Sequence, residues 1–400
     1  MTTPASVLAV PGLRLLSLSV LFHSLGFIGE QVVLGWVVLE LTDSAALVGV
    51  AFAVRLIPFL ITGLPGGVLA DLYDRTWLLQ STGIFMAAAT AGLGALVLGR
   101  WLGLWPVLLI AFLVGCAHAV NQAARQGRVH DLVGPRRFMS AVAVLGFTMR
   151  GAELLGSLGT GVLIAKLGSG LACFVVAACY LMSAVVLSSS RVIPGPPVED
   201  RETGTPDRRG LFAFMRRDRT VLMLVVLTAG IEVLGFSYLA LLPSLARDVL
   251  DVGAAGLGAM TASRSLGGMV GIVAFARLGR PSGTGHLFLG TLTVLGAALV
   301  LLGLTRALLW VFLLLALLGA TTTLSDVFSQ SLIQLAVPTT FRGRAGGLWV
   351  LAVGSGPIGQ MQAGLLASAF GVPMAFILNG GALVLLVVAA MIWFVPVRRL

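Results

Sequence analysis

The chain has 400 residues, of which 58% are apolar and only 10% charged, and its net charge is +10. Soluble domains carry about 25% charged residues, so this sequence has too little polar surface to cover a water-facing exterior. Its 51 glycines follow no three-residue period, which excludes collagen, and its apolar content excludes disorder. The apolar runs are long and solid. Barrel strands would alternate apolar and polar over about ten residues, so the expected class is a polytopic helical membrane protein.

A membrane helix needs roughly 20 apolar residues, and the chain has room for twelve with their loops. Six are expected at Leu13–Leu39, Ala45–Ala70, Trp77–Gly99, Leu104–Ala124, Phe138–Ala165 and Gly170–Ser190. Six more follow at Thr220–Leu245, Ala254–Ala276, Thr284–Leu304, Leu308–Leu335, Ala345–Phe370 and Pro373–Phe394. Between the two sets, Arg191–Arg219 holds seven arginines, five acids and Pro194, Pro196, Pro197 and Pro206. That composition is a hydrophilic linker. The expected organisation is a six-helix bundle over 1–190, a linker over 191–219 and a second bundle over 220–400.

Arginine supplies all but one of the 26 basic residues, the exception being Lys166. With both termini inside, the inner segments carry nineteen basic residues and the outer loops carry Arg100, Lys166, Arg247 and Arg306. The positive-inside rule then places both termini and the linker in the cytoplasm. The positive charge is accounted for by topology, and nucleic-acid binding is not expected. No basic n-region precedes Arg14, and the first apolar stretch is too long for a cleaved signal peptide. Cys116, Cys173 and Cys179 show no metal-ligand spacing and read as small buried apolar residues.

The two halves echo each other. Gly49 and Arg55 in helix 2 recur as Gly258 and Arg264 in helix 8. Gly156-Ser157-Leu158-Gly159 in helix 5 recurs as Gly356-Pro357-Ile358-Gly359 in helix 11. Parallel repeats of this kind hold a midplane substrate site between two bundles.

After helix 2 comes Gly66-Gly67-Val68-Leu69-Ala70-Asp71-Leu72-Tyr73-Asp74-Arg75. It resembles the signature loop of the major facilitator superfamily, matching at Gly67, Leu69, Ala70, Asp71 and Arg75 and departing at Leu72, Asp74 and Thr76. His130-Asp131-Leu132-Val133-Gly134-Pro135-Arg136-Arg137 and Gln334-Leu335-Ala336-Val337-Pro338, with Arg342-Gly343-Arg344, are similar to the branch containing enterobactin-exporting and macrolide-efflux proteins. The resemblance runs from about Leu13 to Phe394. It implies an all-α fold of twelve transmembrane helices in two pseudo-symmetric six-helix bundles. It also implies gating by Gly67, Asp71 and Arg75, with Asp71 meeting the N-terminus of helix 11, where unpaired N–H groups favour an anion. The glycine-rich run Gly156–Gly161 partly resembles the helix 5 motif of the superfamily's antiporters.

Ionisable residues inside a membrane are costly and functional by default. The expected set is Glu30, His23, Arg55, His118, Arg150, Glu153, Glu232, Arg264 and Asp326. Glu30, Glu232, Glu153 and Asp326 are candidates for proton coupling. Arg55, Arg150 and Arg264 are candidate charge partners. For Glu30 with Arg55, and for Glu232 with Arg264, a purely structural ion pair is the competing reading. Arg150 and Glu153 are three residues apart and can pair on one helix face. The histidines read as satisfied core polarity. Phe27, Gln31, Phe147, Phe236 and Tyr238 could line a cavity for an amphipathic ligand.

No Walker loop, zinc-ligand spacing or GxSxG turn is present, so no cofactor, no metal and no enzymatic activity are expected. The sequence reads best as a proton-coupled inner-membrane exporter of amphipathic small molecules, drug, macrolide or siderophore, acting as a monomer in the lipid bilayer. Uptake of a small metabolite and a non-transporting role on the same fold are the alternatives.

Overall fold

The computed structural model describes residues 10–189, 218–278, 284–337, 348–349 and 351–393. Side chains at 60–71 and at a few other helix positions lie outside the described residues, as does nearly all of the expected linker. Helices account for the whole architecture, with no strand among the described residues.

The first half contains α1 (Pro11–Thr42), α2 (Ala45–Leu72) and α3 (Arg75–Leu98), then one helical run from Leu104 to Ser188. Two glycines divide that run. Gly134 has φ 65° and Gly168 has φ 82°, a region that costs glycine little and other residues much. They separate α4 (104–133), α5 (135–167) and α6 (169–188). This corrects the expected end of helix 4 at Ala124. The expected topology makes Arg125, Arg128 and Asp131 loop charges, but they lie on α4, because nothing before Gly134 breaks the helix.

The second half contains α7 (Arg219–Val249), α8 (Gly253–Leu278), α9 (Thr284–Leu304), α10 (Leu308–Ala336), α11 (Gly356–Phe370) and α12 (Val372–Trp393). Asp218 caps α7, its carboxylate accepting from the Thr220 and Val221 N–H groups. The helix is not uniform. A π turn occupies Ile231–Gly235, a 3-10 turn Ser237–Leu241 and a second π turn Leu245–Val249. Pro243 lacks an N–H and crowds the carbonyl four residues back, which accounts for the tightened turn before it.

Eight described helical stretches are long and apolar enough to cross a membrane, one of them the joined α5–α6 stretch Ser140–Ser188. Trp101 and Trp105, both about four-fifths exposed, flank the α3–α4 turn, and Trp310 lies exposed near the start of α10. Exposed indoles near helix ends fit the interfacial belt of a bilayer.

The described chain falls into two compact units. One comprises Met1–Asp43, Val54–Glu199 and Asp251–Ser265; the other comprises Ser44–Ala53, Asp200–Leu250 and Leu266–Leu400. In the first, Leu13, Leu16, Val20, Leu78, Leu79, Ala124, Val129 and Leu145 form an apolar cluster that joins α1, α3, α4 and α5. Lipid is as apolar as leucine, so close helix contact relies on small residues. A Cβ on Gly258 would sit 2.5 Å from the Ser157 carbonyl and 2.9 Å from Gly161 Cα, all within the first unit. Within the second, a Cβ on Gly49 would sit 2.5 Å from the Gln360 carbonyl and 3.0 Å from Gly364 Cα. The repeat therefore pairs Ser157 with Gln360 and Gly161 with Gly364. This corrects the tetrapeptide match expected from the sequence, which is three residues out of register.

Replacing Gly258 or Gly49 with valine forces these backbones apart, and overpacking costs about 1–3 kcal/mol. The thermal midpoint of the purified protein should fall by several degrees. Gly92, whose Cβ would meet nothing within 4 Å, should accept alanine with no loss.

Candidate functional site

The buried charges of the first unit form a continuous line. On α1, Ser19, His23, Phe27 and Glu30 recur at spacings of four, four and three, which puts them on one helix face. On α4, His118, Asn121 and Arg125 share a face for the same reason. Gly115 lets α4 approach the Arg55 carbonyl of α2 closely.

Glu30 and Arg55 pair at 2.7 Å with both side chains 5% exposed. Arg55 Nε donates to Glu30 Oε2, and Arg55 Nη2 donates to the Phe27 carbonyl at 3.4 Å. The guanidinium also lies over the Phe27 ring, 4.4 Å from its centroid, a cation–π arrangement. The other side of the line continues from Phe27 to His118, stacked with centroids 4.2 Å apart. His118 Nδ1 and His23 Nε2 are 3.2 Å apart, so one imidazole donates to the other. The tautomer decides which. His23 then meets the edge of Tyr180 on α6 at 5.6 Å. The two histidines expected as isolated core residues are thus a pair.

A second cluster sits on α5 and the first part of α8. Arg150 Nη1 donates to Glu153 Oε2 at 2.9 Å, and Arg264 Nη2 lies 4.0 Å from the same oxygen. One carboxylate serves two arginines.

The second unit differs. Glu232 falls in the π turn of α7, a distortion that recurs at functional sites. Gly359 of α11 packs against this turn, its Cβ direction 2.6 Å from the Val233 carbonyl and 2.8 Å from the Glu232 carbonyl. Gln360 Nε2 donates to the Phe236 carbonyl at 3.3 Å, occupying a backbone acceptor beside the turn. Gln362 Nε2 donates to Asn379 Oδ1, and Asn379 Nδ2 donates to Ser237 Oγ. Asp326 of α10 is near enough for its charge to act on Glu232. No arginine or lysine pairs with Glu232 among the described residues.

The gating residues divide. The side chain of Asp71 and the surroundings of Gly67 lie outside the described residues. Arg75 is described, and its partner is Asp131 on α4, at 2.6 Å within the first unit. Asp74, a departure from the superfamily signature, has a local role: it caps α3 by accepting from the Trp77 N–H at 2.7 Å. Among the cavity candidates, Phe27 is in the charge line and Phe236 contributes its carbonyl to the α7 network. Tyr238 is buried at 1% exposure, and Phe147 is 57% exposed. Gln31 is half-buried, and no hydrogen bond or ring contact joins it or Phe147 to these groups among the described residues. Arg125, Asn121, Gln360 and Asn379 do not stand out in the sequence. The spacing of Asn121 and Arg125 from His118 is the one signal that points to any of them.

The transmembrane secretion effector family matches residues 2–400. The chain belongs to that family, within the major facilitator superfamily. Curated relatives include the enterobactin exporter EntS of Shigella boydii serotype 4, 27% identical over 353 residues, covering 85% of this chain and 82% of that protein. EntS of Citrobacter koseri is 26% identical over 351 residues with the same coverage. Among solved structures, the nucleoside transporter NupG superposes with a TM-score of 0.78 at 13% identity, covering 96% of this chain and 99% of its own. A bacterial homologue of the lysosomal transporter Spinster gives 0.73 at 16% identity, covering 96% and 97%. These likenesses establish the superfamily fold, and the chain is a multi-pass membrane transporter.

Removing one member of a buried ion pair leaves the other uncompensated, at a cost of about 3–5 kcal/mol. Glu30→Gln in the transporter should therefore lower the thermal midpoint more than the double substitution of Glu30→Gln with Arg55→Met. A double-mutant cycle on thermal unfolding in detergent measures the difference.

Proposed function

We propose that this transporter is a proton-coupled exporter of amphipathic small molecules, siderophores or drugs, working by alternating access in the inner membrane. The observation that carries the reading is the carboxylate of Glu232. It lies in a π turn of a membrane helix, within range of the charge of Asp326, with no basic partner among the described residues. In a low-dielectric interior, a carboxylate within range of a second acid takes up a proton more readily than one beside a cation. A group with those properties can take a proton on one side and release it on the other.

Glu30 and Glu153 differ, because each already neutralises arginine. Their role in this reading is to hold the first unit's helices in register. The nineteen-to-four bias of basic residues supports cytoplasmic termini. Leaving out Arg125 and Arg128, which α4 buries, makes it seventeen to four. Export as the direction, and siderophores among the substrates, draw support from the relatives named as enterobactin exporters. The two-unit construction from a parallel repeat is what rocking between two access states requires, and the chain is proposed to act as a monomer.

In proteoliposomes, an imposed pH gradient should drive flux of a member of a panel of siderophores, macrolides and hydrophobic dyes. Glu232→Gln should reduce gradient-driven flux at least tenfold, and Asp326→Asn several-fold. Substrate exchange without a gradient should survive in Glu232→Gln. Flux that persists unchanged after the gradient is collapsed, or equal flux in wild type and Glu232→Gln, would overturn proton coupling through this residue.

A further inference from the structure

Because α4 runs to residue 133, it carries Arg125 into the interior of the first unit. Arg125 is 8% exposed, and its Nη1 has no hydrogen-bond partner. Three of the unit's other interior arginines are compensated by carboxylates: Arg55 by Glu30 at 2.7 Å, and Arg150 and Arg264 by Glu153 at 2.9 and 4.0 Å. Nearby on α4, Asp131 is taken by Arg75 at 2.6 Å. No carboxylate pairs with Arg125 among the described residues. A buried cation without a counter-charge is among the costliest arrangements a protein interior can hold.

The surroundings supply further unsatisfied groups. Arg125 lies two helical turns beyond His118 on the same face of α4, and its charge acts on both His118 and His23. On the facing helix, His23 Nδ1 and Ser24 Oγ are buried without partners. Tyr180 Oη is also buried without a partner, and its ring packs 5.6 Å from His23. Such orphaned atoms usually mark an unseen water or ion. Water would satisfy the hydroxyls and the imidazole but would leave the guanidinium charge uncompensated. A negatively charged acceptor compensates the guanidinium and can also take hydrogen bonds from neighbouring donors.

We propose that Arg125 anchors an anion-binding site among α1, α4 and α6, with Ser24, Tyr180 and, as the Nδ1–H tautomer that accepts from His118, His23 as further donors. It takes one acidic group, which is either a carboxylate or phenolate of the carried molecule or a free inorganic anion. The first source rests on the transport reading above; the site itself does not.

The test uses the full chain in detergent. Binding of naphthalene-2-carboxylate and of neutral 2-naphthylmethanol is measured by calorimetry. Thermal midpoints are compared in sodium chloride and in sodium gluconate of equal ionic strength. If the carried molecule is the source, wild type binds the carboxylate at least tenfold tighter than the alcohol. Arg125→Gln brings the ratio within twofold, Arg125→Lys retains part of it, and Tyr180→Phe, which keeps the charge, lowers it about threefold. If a free anion is the source, chloride raises the wild-type midpoint by several degrees but not that of Arg125→Gln, and the two naphthyl probes bind alike. The site is refuted if neither the binding ratio nor the chloride shift differs between wild type and Arg125→Gln. Binding is read without flux, so a failure of all pH-driven transport would defeat the transport reading and leave this result standing.

Discussion

The constraint that organises this molecule is the cost of charge in a low-dielectric interior. A membrane-embedded arginine or carboxylate has little water to solvate it, so it must find an opposite charge, a hydrogen-bond network or a reason to remain unpaired. Glu30 and Arg55 satisfy it by direct contact, with the Phe27 carbonyl and ring absorbing the remaining guanidinium valence. Glu153 satisfies it for Arg150 and Arg264 together. The pairs Glu30–Arg55 and Glu153–Arg264 also fix the separation of two helices each, since the carboxylate and guanidinium meet only over a narrow range. The hydrophobic effect cannot do this in lipid, so ion pairs and glycine contacts take over the role that an apolar core has in water.

Backbone polarity obeys the same constraint. A helix normally closes its own hydrogen bonds, and α7 does not do so regularly. The turns around Glu232 and Pro243 disturb the ladder, and side chains supply donors there: Gln360 donates to the Phe236 carbonyl, and the Ser237 hydroxyl, held by Asn379, donates to the Leu234 carbonyl. The irregular segment survives because it is surrounded by donors. It also lets the backbone at Glu232 depart from the geometry of α1 at Glu30, although both helices begin their halves.

Class and helix order were legible in the sequence because solid apolar runs of membrane length fit little besides a membrane span. The ion pairs were legible as alternatives, because so few charges lie inside that each has few partners to choose from. The end of α4 was not legible. Arg125 and Arg128 look like loop charges, since membrane loops are where arginines accumulate, and only the backbone shows the helix continuing. The histidine pair was invisible for another reason: His23 and His118 are 95 residues apart, and no periodicity connects them. The repeat register erred by three residues because helical glycines recur at near-turn spacing, so a shifted match still looks regular. The carbonyl facing each glycine settles it.

The two halves are related by repetition yet have spent their charges differently. The first unit holds interior arginines, two acids that neutralise three of them, and a histidine pair. The second holds Glu232 within range of the charge of Asp326. An interior rich in compensated cations is electrostatically stiff, because moving one helix breaks a contact that nothing else can replace. An interior with two neighbouring acids is soft, because a single proton changes its net charge without moving a side chain. On our reading, recognition of an acidic group belongs to the stiff unit and proton exchange to the soft one. The repeat keeps Arg55 and its counterpart Arg264, and both lie in the stiff unit, so the division of labour follows from the unit in which each charge packs and not from the half of the chain that supplies it.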